Sequence, residues 1–285
     1  MIGDGKDSTN QRENTFVADG TTVGFLTDVT LCIGCKACEV ACKEWNGVPD
    51  DGYVFTGQSY DNTGALSGST WRHVQFHELD APAGREGGGA APPDDLGWLF
   101  YSDVCKHCER AGCLEACPTG AIVRTETGGV FVQDDVCNGC GYCVVGCPFG
   151  VIGRRDADLP GGGGAYKCTF CYDRQKGGGG PACAKACPTE SIRFGPLDLL
   201  RAEADRRVDT LHARGVTGAT LYDPRDTSVG GVHALSILVG DPERYGLPRA
   251  PEVPSTRLLR SWLSAGLTTA AMLAITALAF ALAAR

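Results

Sequence analysis

Positive charge is in short supply in this chain. It carries 26 lysines and arginines against 34 aspartates and glutamates, for a net charge of −8. Basic residues never run beyond pairs such as Arg154-Arg155 and Arg206-Arg207. That argues against a nucleic-acid partner, whose phosphates need a cationic footprint. Neither a GxGxxG turn nor a P-loop occurs, so the usual nucleotide cradles are missing. No constellation supplies an activated nucleophile or an acid–base pair. The N-terminus lacks a charged segment followed by an apolar one, and arginine pairs occur only far from it. Neither a secretory nor a twin-arginine signal of its own is therefore expected. Residues 1–22 are polar and read as a flexible tail.

Cysteine, by contrast, is abundant. Sixteen occur in 285 residues, and none is left over from four sets of four. Cys32, Cys35, Cys38 and Cys42 form the first run. The second is Cys105, Cys108, Cys113 and Cys117, and the third Cys137, Cys140, Cys143 and Cys147. The fourth is spaced more widely, with Cys168 and Cys171 separated by eleven residues from Cys183 and Cys187. Runs this tight are awkward to bridge as disulfides, and zinc ribbons seldom append a third and fourth cysteine so closely to a C-x2-C pair. Four [4Fe–4S] clusters match the count. In such runs three thiolates hold three corners of a cubane, while the fourth, here before Pro118, Pro148 or Pro188 in three of the runs, completes a neighbouring cluster. Clusters fully ligated by cysteine leave no iron open to substrate, so their chemistry is one-electron transfer.

Which run completes which is not settled by spacing. Ala121-Ile122-Val123 and Val130-Phe131-Val132 flank Gly128-Gly129 as a hairpin would, joining the second and third runs. The glycine tract at 161–164 reads as a crossover loop, which leaves the first and fourth runs as partners. The expected fold is α+β: two nested ferredoxin-like double-cluster modules with loop insertions, plus one C-terminal transmembrane helix. The inner module spans 105–147, and the outer one 23–104 with 148–195. A helix and linker region at 196–257 and an anchor at 258–285 follow.

Between the first two runs, residues 71–78 alternate as a strand, Leu99-Phe100-Tyr101 suggest another, and the Pro- and Gly-rich stretch 81–97 is a loop. His73 and His77 read as ordinary polar residues on an exposed strand face. Lys36, between ligands, either tunes a cluster by its charge or is a solvated loop lysine. Residues 189–194 read as a strand. Residues 196–214 form an amphipathic helix whose Leu197, Leu200, Ala204, Val208 and Leu211 share one face. The segment Leu221-Tyr222-Asp223-Pro224 reads as a turn and 230–239 as a buried strand, with His233 a packing histidine. Residues 262–284 carry no formal charge; as a helix they reach about 34 Å, enough to cross a bilayer. Ser264, Thr268, Thr269 and Thr276 prefer neighbours to lipid. Trp262 and Arg260 mark one interface and Arg285 the other, so basic residues leave orientation open.

The four runs in this order resemble the iron–sulfur subunits of the molybdopterin oxidoreductase family. Within it the chain is most similar to the beta subunit of membrane-bound respiratory formate dehydrogenase, through C-I-G-C-K-A-C-E-V-A-C-K-E-W-N, P-A-C-A-K-A-C-P-T, L-Y-D-P…G-G-V-H, Tyr245-Gly246-Leu247-Pro248 and the single terminal helix. The resemblance implies four ligand sets: Cys32, Cys35, Cys38 and Cys187; Cys42, Cys168, Cys171 and Cys183; Cys105, Cys108, Cys113 and Cys147; Cys117, Cys137, Cys140 and Cys143. It implies electrons from formate, oxidised at a molybdenum or tungsten pterin in a separate large subunit and passed to a membrane cytochrome b and quinone. A soluble part on the extracytoplasmic side, carried across already folded with a partner, also follows from it. A wire for a hydrogenase or for a sulfur-compound or dimethyl sulfoxide reductase, and a zinc protein without redox chemistry, are the rival readings.

Overall fold

The computed structural model describes residues 20–50, 52, 57, 61–78 and 97–283. Residues 1–19 of the expected tail and 81–96 of the expected loop lie outside them.

The chain opens with β1 (Val23–Asp28), whose six residues are all buried. It is followed by α1 (Ala37–Asn46), then β2 (Arg72–Glu78) and β3 (Trp98–Val104), an antiparallel hairpin inserted before the second cysteine run. Next come the one-turn α2 (Gly112–Glu115), the hairpin β4 (Ile122–Arg124) and β5 (Val130–Val132), and the one-turn α3 (Tyr142–Val145). A small pair, β6 (Gly153–Arg154) with β7 (Ala165–Tyr166), precedes α4 (Tyr172–Lys176) and α5 (Ala182–Lys185). Then β8 (Ile192–Pro196) leads into α6 (Leu197–Ala213), β9 (Ala219–Tyr222) and β10 (Ala234–Val239), and α7 (Leu258–Ala283) ends the described residues.

One four-stranded sheet, in the order β8-β1-β10-β9, carries the core. Its strand β1 runs antiparallel to β8, with Phe25 opposite Phe194, and parallel to β10, with Phe25 opposite Ala234. Helix α6, between the edge strands β8 and β9, covers the sheet with buried Leu197, Leu200, Ala204 and Leu211. Gly24 permits that seating. A Cβ there would lie 2.6 Å from Leu197 Cδ1 and 2.7 Å from the His233 carbonyl. Phe25, Phe170 and Phe194 then interlock at ring separations of 4.8 and 5.7 Å. Helix α1 packs on α5, and α2 on α3.

Several expectations need correction. The glycine tract at 161–164 turns back within a hairpin, with Gly153 opposite Tyr166, where a crossover was expected. Leu221 and Tyr222 lie in a strand because they pair with Ile237 and Ser236 on β10; the chain turns only beyond them, at Arg225-Asp226. The buried strand starts at Ala234, since Gly230 and Gly231 hold left-handed backbone. His73 is not on an exposed face: it is 1% exposed and bonds Asp61 at 2.7 Å. His233 is the packing histidine expected, buried between the Val23 carbonyl and Glu109.

Helix α7 is long and apolar enough to cross a membrane, and none of its side chains is buried in the protein. Its Ser264, Thr268, Thr269 and Thr276 hydroxyls donate to carbonyls three or four residues back, which satisfies them without a partner helix. At its root a short 3-10 turn, Pro254–Arg257, packs on α2. There Arg110 donates to Ser255 at 3.1 Å, and Ser255 donates to Glu115.

Candidate metal centres

All sixteen cysteines carry free thiols, so no disulfide framework exists. Among the described residues no three histidine, cysteine or acidic side chains converge closely enough to hold a single metal ion. A tetrahedral zinc site would bring its sulfurs to about 3.8 Å from one another, given zinc–sulfur bonds near 2.3 Å. The thiols instead line two small, largely enclosed cavities. One is lined by Cys105, Cys108, Cys113 and Cys147, with His107 and Lys167. Another is lined by Cys117, Cys137, Cys140 and Cys143. Each takes three thiols from one run and the fourth from the other.

The pairing of helices explains this exchange. Cys113 on α2 and Cys143 on α3 face their own spaces, while Cys117 and Cys147 follow the helix ends and cross over. Glycine makes room: a Cβ on Gly112 would stand 2.4 Å from the Gly146 carbonyl. On the other side α1 bears Cys38 and Cys42, and α5 bears Cys183. There Cys32 feels Cys38 and Cys187 most strongly among the thiols, and Cys42 feels Cys183 and Cys171. Cys168 is next to Cys42, Cys105, Cys171 and Cys183. Cys35 and Cys140 are exposed.

The loops between ligands use left-handed backbone at Lys36, His107, Phe170 and Cys171, a conformation non-glycine residues hold only where surroundings enforce it. Turned this way, the backbone and its side chains aim donors at sulfur. Phe170 N–H reaches Cys168 Sγ at 3.3 Å, Ala165 N–H reaches Cys137 Sγ at 3.5 Å, and Lys167 Nζ reaches Cys105 Sγ at 3.4 Å. Burial pushes the Cys32, Cys38 and Cys143 thiols up to about 11 and Cys113 up to about 12. Neighbouring thiols add to the rise, since several negative charges would share one small volume. A metal that binds these groups must displace their protons, so loading is favoured by rising pH.

The residues fit an anionic, sulfur-rich group. Arg72 Nε and Nη2 and His107 Nε2 are buried without a hydrogen-bond partner. His107 Nδ1 accepts from Val130 N–H at 3.0 Å, which leaves the proton on Nε2 of a ring held neutral by burial. Arg72 and Lys167 are buried cations, each surrounded by thiols from two sets. Such charges are tolerated only opposite negative charge or full bonding.

Sequence alone points to Lys36, but its amine is committed to Asp61 at 2.8 Å. It does not point to Arg72, Lys167 or His107. The C-K-H-C spelling and a lysine directly before Cys168 are signals that could have found the last two; nothing local marks Arg72.

Comparison with known proteins bears on the same stretch. A family model described as a 4Fe-4S dicluster domain matches residues 96–197, and a second of that description matches residues 31–121. Two such domains and sixteen cysteines fit four [4Fe–4S] clusters. The chain is 41% identical over 235 residues to the formate dehydrogenase iron-sulfur subunit of Haemophilus influenzae, covering 81% of this chain and 70% of that one. It is 42% identical over 238 residues to the formate dehydrogenase-O iron-sulfur subunit of Escherichia coli, with 82% and 73% covered. One polypeptide of the anaerobic dimethyl sulfoxide reductase of Escherichia coli is 33% identical over 181 residues, or 64% of the present sequence and 77% of that relative.

Proposed function

The chain belongs to the formate dehydrogenase iron–sulfur subunits, and from that premise we propose that it is a four-cluster wire from a formate-oxidising subunit to the membrane. A [4Fe–4S] cluster supplies one-electron transfer without bond making; the chain's work is to hold, space and shield such groups. The proposed ligand sets are Cys32, Cys35, Cys38 with Cys187; Cys42, Cys168, Cys171 with Cys183; Cys105, Cys108, Cys113 with Cys147; and Cys117 with Cys137, Cys140, Cys143. The observation that carries the last two is the pair of cavities, each lined by four cysteines drawn from both the second and third runs; the first two rest on the family resemblance and on the packing of α1 against α5. Packing of α1 on α5 and of α2 on α3 supports nested modules of 105–147 within 23–104 and 148–195, followed by 196–257 and the anchor 258–285.

The sets form a row, supported by the electrostatic influence of Cys183 on Cys38, of Cys105 on Cys168 and of Cys143 on Cys113, each linking one set to the next. The ends of that row hold the exposed Cys35 and Cys140. Exposed apolar residues flank both, Ile33 and Val40 at one end, Tyr142 and Val145 at the other, as suits two docking partners. The root of α7 packs on α2, so the Cys140 end is the one nearer the bilayer. Electrons enter at the Cys35 end from a large subunit carrying a molybdenum or tungsten pterin, and leave at the Cys140 end to a cytochrome b and quinone. The soluble part faces the extracytoplasmic side.

Truncation before Ser261 tests the route. In the assembled complex it should spare formate oxidation with a soluble acceptor and depress quinone reduction. Equal quinone reduction by truncated and intact complexes would show the helix dispensable. Absence of formate activity in any intact complex would favour the dimethyl sulfoxide reductase type of partner, to which the 33% identical relative belongs.

A further inference from the structure

Arg72, Lys106, Arg155 and Lys167 are the buried cations among the described residues. Lys106 faces the Asp103 carboxylate. Arg155 spends its donors on the Gly68 and Pro160 carbonyls and stacks on Tyr166. Lys167 gives its amine to Cys105 Sγ and to the Val130 and Cys168 carbonyls. Arg72 is different. It is 1% exposed, has no carboxylate partner among the described residues, and leaves Nε and Nη2 unbonded. Only Nη1 is engaged, donating to the Ser102 carbonyl at 3.2 Å and to Ser102 Oγ at 2.8 Å.

Sulfur surrounds the rest of it. Burial works against its charge, which Cys183, Cys38, Cys168 and Cys42 offset once they are thiolates, and the Phe25 ring closes one side at 4.9 Å. These thiols come from two of the proposed sets. Ser102 Oγ, having accepted from Arg72, lies 3.3 Å from Cys38 Sγ, so its own proton is free for that sulfur. Arg72 and Ser102 belong to β2 and β3, the hairpin inserted between the first two cysteine runs.

Resting on the ligand sets proposed above, we propose that Arg72 is the fixed counter-charge shared by the Cys32–Cys35–Cys38–Cys187 and Cys42–Cys168–Cys171–Cys183 clusters, and that its Nε–H and Nη2–H are donors to their sulfur. Each cluster, on reduction, takes one electron from the upstream partner, with no proton moved and no bond made or broken. That adds one negative charge to a buried site beside another anionic site. A guanidinium does not titrate in this range, so it offsets that charge equally at every working pH and raises both reduction potentials. The β2–β3 insertion is thereby an electrostatic part of the wire.

The test is a potentiometric titration of the assembled complex, followed by the magnetic resonance of the reduced clusters, for the unmodified chain, Arg72→Gln, Arg72→Lys and Ser102→Ala. Arg72→Gln should lower two of the four midpoints by a tenfold or larger change in the reduction equilibrium, about 59 mV per tenfold for one electron, and leave two unmoved. Arg72→Lys should recover more than half of that shift. Ser102→Ala, which keeps the charge and removes one donor, should lower a single midpoint by about two- to fivefold. Four unmoved midpoints, equal shifts in all four, or a lysine variant no better than glutamine would overturn the proposal. Should Arg72→Gln fail to retain iron, Ser102→Ala decides alone, and an unmoved titration there sinks the assignment. Fewer than four reducible centres in the unmodified complex would instead remove the cluster reading, and the role of Arg72 with it.

Discussion

Cys42, Cys168 and Cys183 are buried, whereas Cys117, Cys137 and Cys140 reach towards solvent. Arg72 of the β2–β3 hairpin, with Phe25 of the sheet against it, stands near the first trio, while the second has the short β4–β5 hairpin beside it. Exposure also varies within each pair of runs, since Cys35 is exposed and Cys105, Cys108 and Cys113 are buried. Cys117 illustrates the consequence. Its modest burial is outweighed by hydrogen bonds from Thr119 and the following backbone, and its thiol falls below the usual range. Cys42 moves the other way, because burial dominates and Cys183 and Cys171 stand close. One motif thus yields different electrostatics according to what is packed over it.

The largest test of that contrast removes one thiol from each side. Cys183→Ala should disturb both outer clusters, since Cys183 abuts Cys38, Cys42 and Cys171, and iron should fall from about 16 to about 8 per chain at four irons per cubane. Cys140→Ala, at the solvent edge, should leave about 12 by the same count. Anaerobic iron analysis reads both, and equal losses would break the contrast. Next in size, Leu211→Ala opens a hole beneath α6, where Leu211 is 3% exposed. A cost of about 2–5 kcal/mol is expected in thermal unfolding, with the inner clusters' magnetic resonance unchanged.

A smaller effect should come from the inner side. Gly112→Ala forces α2 away from the Gly146 carbonyl, at about 1–3 kcal/mol, and should weaken the magnetic coupling of the two inner clusters while sparing the outer pair. Smallest is a pH effect in the inserted hairpin. Burial first, then Arg244, holds the His77 imidazole below its usual range. The unfolded chain therefore takes up a proton near pH 6.5 that the folded chain declines. Stability from this group is full above that pH and declines as pH falls through it, by less than about 1.4 kcal/mol per pH unit. Melting curves at pH 7.5 and 5.5 should differ less for His77→Gln than for the unmodified chain.

The features legible from sequence are those written in local spacing. Four cysteine runs, the β4–β5 hairpin around Gly128-Gly129, the apolar face of α6 and the uncharged span of α7 all carry their signal within a few turns of chain. Arg72 does not. It looks like any strand arginine until Ser102 and thiols from Cys38 to Cys183 close around it, and those contacts join segments far apart in sequence. His73 misleads for the same reason, because Asp61 and the α1 side cover a strand face that alternation alone leaves open. Leu221-Tyr222 reads as a turn because Asp223-Pro224 is a strong turn signal, and the partner edge on β10 is invisible locally.

Strand β1 also sets a timetable. Its Val23, Phe25 and Leu26 leave the ribosome early, but its partner strands β8 and β10 begin only at Ile192 and Ala234. Until then this largely apolar ribbon has both edges open, a template for pairing with other chains. On the ligand sets proposed above, the second and third cysteine runs are complete by Cys147 and could take iron while the first and fourth wait for Cys187, and residues 23–28 would need guarding longest.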